Sequence, residues 1–446
     1  MNPTLVRKFL LPAHERLLRR GTLDVLRDLE RTQWLSTDDL LSLQRTKLRE
    51  LLLHANQNCP FYSDRISAAA IDPATAELTD LERLPTLTKS EIRRHLPAML
   101  ESPRRRKLYP YTTGGSTGEP LQFFIDRERQ AADQAARART RRWFGIDLGE
   151  RELYLWGAAV EFAAQDRFKQ LRDRLTNHLL LSAFEMTPAR MTGYLDRLDR
   201  FDPVHLFGYP SSVALLARHA RDLGRSLKTN SLRAVFVTGE LMQPQDRDLI
   251  AESVGVPVAD GYGSREAGFI AHQCPSGRYH ITMESLIVEL LDESGRPVGG
   301  GHAGEVTITH LDARAMPLIR YRTGDIASRS DDPCPCGRGL TTLNMVEGRR
   351  TDMLHTTAGG AAHALAVIYP LRERPEISQF KVVQQADLSL DVFTVLRGKL
   401  SGGEESELVS SLQRRIGDVA VRIHEVESIP TDASGKHRCV VSHASD

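Results

Sequence analysis

A run of glycines and hydroxyls, Thr113-Gly114-Gly115-Ser116-Thr117-Gly118, follows Tyr111-Thr112 and precedes Glu119-Pro120. Glycine reaches backbone angles that other residues avoid, so a loop of this kind can turn several N–H and O–H groups toward one anion, and it suits a polyphosphate. It is not a Walker-type loop, which ends in Gly-Lys-Ser/Thr at the start of a helix; an ordinary flexible loop has the same composition. Nearly 320 residues further on, Ile429-Pro430-Thr431-Asp432-Ala433-Ser434-Gly435-Lys436 forms a second loop around a single lysine. A lone lysine is most often a solvated side chain. Cys274-x5-His280 and Cys334-Pro335-Cys336 add three thiols and an imidazole, the donors that tetrahedral zinc takes. Their spacing matches no finger pattern, and buried structural cysteines are the alternative. Cys59 and Cys439 have no evident partner.

The elements that must carry these groups are legible in the apolar pattern. Leu23 to Leu53 repeats apolar residues at three- and four-residue steps, with Ser36-Thr37-Asp38-Asp39 as a helix start, and suggests a helical lid or collar. From Tyr109 on, short apolar runs (121–125, 152–156, 204–207, 234–237, 256–259) alternate with amphipathic stretches such as 211–223 and 246–254. This alternation predicts α/β architecture with largely parallel strands. Between Leu286 and Ala327 the pattern changes to consecutive antiparallel strands, 287–291 and 304–309 about the turn 292–295, so a smaller β-rich unit is expected. The last 95 or so residues suffice for an independent α+β domain, with strands at 379–384, 388–396 and 419–427 and a helix at 404–415.

Bulk properties exclude several classes. With 446 residues, two or three domains are expected. A net charge of +1, from 59 basic and 58 acidic residues, argues against a nucleic-acid-binding body. Five cysteines give no disulfide framework and fit a reducing compartment. No run approaches the roughly 20 apolar residues of a membrane span, and the N-terminus lacks the apolar core of a secretion signal, so a cytoplasmic location without a transmembrane segment is expected. Leu5 to Arg20 mixes leucines with Arg7, Lys8, Arg16, Arg19 and Arg20 and could rest on an acidic membrane surface. Pro12 interrupts that pattern and favours a solvated helix packed on its own domain.

The order Thr113 to Gly118, Thr238-Gly239-Glu240, Asp260-Gly261-Tyr262-Gly263-Ser264-Arg265-Glu266, Tyr321-Arg322-Thr323-Gly324-Asp325, Gly348-Arg349-Arg350-Thr351-Asp352 and Gly435-Lys436 resembles the adenylate-forming superfamily. Within it the chain is similar to the phenylacetate-CoA ligase family and its capsule-biosynthesis-type relatives. The resemblance runs from about residue 109 to 438 and is weak over the first hundred residues and over 354–428. It implies a large N-terminal α/β domain with a β-rich subdomain, here 1–105 (helical) and 106–348, and a small mobile α+β C-terminal domain, 349–446.

The resemblance also implies roles. Thr113, Gly114, Gly115, Ser116, Thr117 and Gly118 would hold the phosphates of ATP, Glu266 would hold Mg2+, and Asp325 would receive the ribose hydroxyls. Gly239, Glu240, Asp260, Gly261 and Tyr262 would line the adenine slot, and Arg349 would approach ribose and phosphate. Lys436 would bridge acyl oxygen and α-phosphate as charge develops. Asp352 would be the hinge about which the small domain rotates between two half-reactions. Many members carry lysine where this chain has Glu119, and a Ser or Thr where it has Arg265, so Arg265 is expected to restore a cation near the triphosphate. A Cys-His-Cys-Cys set like Cys274, His280, Cys334 and Cys336 occurs in this family and implies structural zinc. The acyl pocket is expected around Trp156, Phe184, Tyr209 and Pro210, where Tyr and Trp would form a flat slot for an aromatic acid.

The reading is therefore an ATP-dependent acid ligase that forms an acyl-adenylate from a small-molecule carboxylic acid and passes the acyl group to a thiol, most simply CoA. Transfer to an amine, sugar or phenolic acceptor is the alternative within the superfamily, and a catalytically silent nucleotide-binding scaffold is the alternative outside it. The acid, the acceptor and the oligomeric state are not encoded legibly; a homodimer is left open.

Overall fold

Ser36 opens the longest N-terminal helix as expected: its hydroxyl accepts from the Asp39 N–H at 3.1 Å, and the helix runs Thr37–Asn58. The computed structural model describes residues 1–101, 107–112, 121–157, 173, 175–183, 186–242, 244–292, 294–330, 332–347, 353–372, 374, 376–429 and 440–444. Leu40, Gln44, Leu48, Leu51, Leu52 and Ala55 recur along one face of this helix and are buried. They share a core with Ile270, Ile281, Met283 and Ile287. The helix is thus a wall of the core rather than the lid or collar its pattern suggested; amphipathic periodicity reports that a face is covered and not what covers it.

Strands β1 (Tyr109–Thr112) and β2 (Gln122–Ile125) form an antiparallel pair that brackets the glycine-hydroxyl segment. The main sheet begins with β3 (Glu152–Trp156), β4 (His178–Ser182), β5 (His205–Gly208), β6 (Ala234–Thr238) and β7 (Val258–Ser264). All pairings among these five are parallel. It continues through β8 (Gly268–Gln273), β9 (Tyr279–Ile281), β10 (Leu286–Leu291), β11 (Ala303–His310), β12 (Tyr321–Ser330) and β13 (Thr342–Glu347), all antiparallel. The order is β10-β11-β12-β13-β9-β8-β7-β6-β5-β3-β4. The strands expected as a β-rich unit therefore continue the α/β sheet edge to edge, and β7 is the strand where parallel pairing gives way to antiparallel.

The described residues between 353 and 444 form a four-stranded sheet, two short strands and two helices around a core that includes Leu354, Phe380, Val382, Leu390, Val392, Leu408 and Leu412. Its strands Ile377–Gln384, Leu390–Leu396 and Val421–Glu425 and its helix Gly402–Ile416 match the expected ones within a few residues. Ser401 and Glu404 close a reciprocal capping box on that helix.

The helix Arg127–Arg142 links the N-terminal helices to the sheet through charge. Arg139 and Glu284 are both buried and pair at 2.5 Å, and the Thr32 hydroxyl donates to the same carboxylate at 2.8 Å. Removing one member strands the other charge away from water. Arg139→Ala should cost about 3–5 kcal/mol, read as a lowered urea midpoint, whereas Arg139→Met with Glu284→Leu should cost less than the single change.

Candidate active site

Parallel strands place all their C-terminal ends on one edge of a sheet, where α/β proteins bind ligands. At that edge lie Trp156 at the end of β3, Gly208-Tyr209 at the end of β5, Gly239-Glu240 after β6, and the turn Arg265-Glu266 that joins β7 to β8. Two hydrogen bonds cross between this turn's strand and β12. The Tyr262 hydroxyl donates to Asp325 Oδ2 at 3.1 Å, and the Tyr321 hydroxyl donates to Glu266 Oε1 at 2.9 Å. Motifs some 60 residues apart in sequence are thereby brought together.

Burial raises the Tyr262 phenol well above its ordinary range, and the Asp325 charge adds to the shift, so it remains a donor. Burial also works against the charge on Glu266, which is only 5 % exposed. Lys89, whose Nζ lies 3.4 Å from Oε1, outweighs it together with the hydrogen bonds from Tyr321 and Ser264, and the carboxyl ends below its usual value. Lys89 was not anticipated. Its position follows from a capping box in which Thr88 and Glu91 satisfy each other's N–H groups, starting the helix Lys89–Met99. Leu87, just upstream, is held by the Arg320 carbonyl at 2.8 Å and the Arg322 N–H at 2.9 Å. The spacing Thr88-x-x-Glu91 is the one local signal for this helix start, and nothing local ties it to β12.

The β7–β8 hairpin tolerates no side chains at its glycines. A Cβ at Gly261 would lie 2.2 Å from the His272 ring, and one at Gly263 would lie 2.3 Å from the Gly268 carbonyl oxygen. His272 is kept neutral by burial, its pKa pushed down to about 3. Arg265 is exposed and donates to the Thr112 carbonyl at 3.1 Å, at the point where β1 enters the glycine-hydroxyl segment.

Asp260 and Glu240 have protein partners. Tyr279 donates to Asp260 Oδ2 at 2.6 Å, and burial raises that carboxyl to about 6. Glu240 Oε2 accepts from the Ser211 N–H at 3.1 Å and so covers the first turn of the helix Pro210–Asp222. The Trp156 and Tyr209 rings stack at 3.9 Å between centroids and 13° between planes. No ring fits between them, so the expected slot is one aromatic wall, with Gly239 close enough that an added Cβ would meet Tyr209 at 3.2 Å. Pro210 is the first residue of the helix behind this wall. Thr113 to Gly118, Phe184, Arg349, Asp352 and Lys436 lie outside the described residues.

The four sulfur and nitrogen donors converge. One ligand atom from each of Cys274, His280, Cys334 and Cys336 lies within 4.8 Å of every other. Cys274 Sγ and Cys334 Sγ are 3.6 Å apart, and Cys336 Sγ is 3.2 Å from His280 Nε2. Zinc–sulfur bonds of about 2.3 Å in a tetrahedron set sulfurs about 3.8 Å apart, close to this spacing. His280 Nδ1 lies 3.0 Å from the Leu340 carbonyl, which fixes the ring with Nε2 toward the cluster. Pairing of β9 with β13, His280 opposite Thr342, is what gathers the two loops. The cluster is a candidate metal centre and is built of protein donors only.

No family model matches the chain. It is 22% identical over 411 residues to protein CapK of Staphylococcus aureus, covering 91% of this chain and 90% of that protein. It is 26% identical over 344 residues to the phenylacetate-coenzyme A ligase of Thermus thermophilus, 72% of each chain. A solved 2-hydroxyisobutyryl-CoA ligase, in complex with 2-HIB-AMP and CoA, shares the fold at TM-score 0.65 and 20% identity, covering 93% of this chain and 92% of that one. In motif order and sequence the chain is thus similar to the phenylacetate-CoA ligases and CapK, and in fold to a solved acyl-CoA ligase.

Proposed function

We infer that this protein is an AMP-forming acid–CoA ligase. A carboxylate oxygen attacks the α-phosphorus of ATP, the bond to the β-phosphate breaks, and pyrophosphate leaves. The thiolate of CoA then attacks the acyl carbon and AMP departs with the electron pair of the broken C–O bond. The observation that carries this reading is the pair of crossed tyrosine–carboxylate hydrogen bonds, which puts Glu266 and Asp325 in one place at the ligand-binding edge of the sheet. Relatives named as phenylacetate-CoA ligases and a similar fold solved with an acyl-AMP and CoA support it.

In this reading Asp325 receives the ribose hydroxyls, with Tyr262 orienting its carboxylate and closing the adenine slot with Gly239 and Gly261. Glu266 suits Mg2+, which takes hard, ionised oxygen donors, and it is kept ionised by Lys89 and Tyr321. Thr113 to Gly118 cradle phosphate, and Arg265 and Arg349 add positive charge beside them. Glu240 and Asp260 serve the site through its frame, by capping a helix and holding Tyr279. An aromatic acid would lie against the outer face of the Trp156–Tyr209 wall. The Cys/His cluster fits zinc in a structural role, leaving no ligand position for substrate.

Lys436 is the decisive test. Lys436→Ala should abolish acid-dependent pyrophosphate exchange and spare thioester formation from preformed acyl-adenylate; equal loss of both would overturn its role. Failure of the wild-type protein to exchange pyrophosphate with any of a panel of aryl, short-chain and amino acids would overturn the function itself. Metal analysis should find about one zinc per chain, lost in Cys274→Ser with Cys336→Ser. Because the Glu266 carboxyl is depressed in the folded protein, its stabilising effect is complete above the ordinary carboxyl pKa of about 4.3 and disappears as pH falls through the folded value. Lys89→Met should therefore cost about 3 kcal/mol at neutral pH, with the difference from wild type closing on acidification, as read from thermal midpoints across pH.

A further inference from the structure

The first eighteen residues make an outer helical element, running through Pro3–Leu5, Val6–Leu10 and Leu11–Leu18 without a break. Its middle is a wide turn in which the Leu11 N–H reaches the Val6 carbonyl five residues back. Pro12 falls directly after that turn, so it does not interrupt the element as its missing N–H suggested. One side is fixed to the body. Val6 is fully buried, the Pro3 carbonyl packs so tightly on Gly149 that a Cβ there would lie 2.9 Å from it, and Arg7 pairs with Asp147. Asn177 Nδ2 also donates to the Met1 carbonyl at 3.1 Å.

The other side is apolar and faces water. Leu5 is 49% exposed, Phe9 64% and Leu17 80%. Of the eleven large apolar side chains exposed among the described residues, five belong to these eighteen positions, so the exposure is a concentrated patch rather than scatter. Lys8 and Arg16, the immediate neighbours of Phe9 and Leu17, are exposed, as is Arg19. The single acidic residue of the element, Glu15, is buried and bound to Arg20 at 2.5 Å. A net charge of only +1 over the whole chain makes this local excess a property of the face and not of the protein.

We propose that this face seats the protein on an anionic lipid surface, with Leu5, Phe9 and Leu17 entering the boundary between headgroups and acyl chains and Lys8, Arg16 and Arg19 meeting lipid phosphates. Apolar side chains flanked by cations on one side of a pinned helix are the arrangement such a surface selects. A second copy fits less well, because a two-fold contact through the same face brings its own cations together. No helix among the described residues is long and apolar enough to cross a membrane, so the contact is peripheral.

The test is co-sedimentation of the full chain with phosphatidylcholine vesicles, with and without phosphatidylglycerol. Binding should require phosphatidylglycerol, weaken with added salt, and fall at least about tenfold in Phe9→Asp with Leu17→Asp while the thermal midpoint stays unchanged. If that variant misfolds, Lys8→Gln with Arg16→Gln and Arg19→Gln, all at exposed positions, should give the same loss. Equal binding by wild type and variants, or no binding of the wild type to anionic vesicles at low salt, would overturn the proposal. So would gel filtration in which Phe9→Asp with Leu17→Asp splits a dimer that ignores vesicles, since the face would then belong to a second copy.

Discussion

A carboxylate held out of water needs compensating charge, and at the candidate site this requirement falls on Glu266. Its oxygen meets Lys89 and the Tyr321 hydroxyl, and these come from the N-terminal helical region and from β12. Three stretches drawn from a span of more than two hundred residues, Lys89 to Tyr321, must therefore be in register before that one charge is tolerable. The reciprocal bond from Tyr262 to Asp325 locks the same pair of segments a second time. Preorganisation of this kind is what phosphate chemistry asks of a protein, since donors and carboxylates that are already oriented need no reordering as charge moves.

The frame behind these groups is stiff by construction. Gly261 and Gly263 leave room only for His272 and the Gly268 carbonyl, so the hairpin that carries Glu266 has one way to pack. The Cys/His cluster brings the loop that follows β8 beside the loop that precedes β13. Between them, β7 changes partner type, parallel to β6 and antiparallel to β8, and Tyr262 and Glu266 sit at the end of that strand.

Much of this was legible in the chain and some was not, for physical reasons. Strand and helix periods were readable because burial on one face leaves a local trace, so β3, β5 and β6 and the helices after Ser36 and Pro210 fall within a few residues of expectation. Long-range pairing leaves no such trace. Nothing local says that β13 returns to β9, which fuses the antiparallel strands to the α/β sheet, or that Leu48 shares a core with Ile270 and Ile281. The same holds at the site. Glu266 and Asp325 stood out through their motif company, while Lys89 looked like any first-turn lysine because its partner is set by tertiary contact alone. Trp156 and Tyr209 were recognisable as a pair, but only ring geometry decides whether two aromatics receive a third or close on each other.

The core shared by the helix Thr37–Asn58 and strands up to Leu343 has a consequence for biosynthesis. Translation at roughly 5–20 residues per second means that the helix leaves the ribosome some tens of seconds before the last of its partners is made. Until then its leucines have only sequence-near members of that core, such as Tyr62 and Ile66, available. The core of this helix is therefore completed only late in synthesis, when the strands up to Leu343 have emerged.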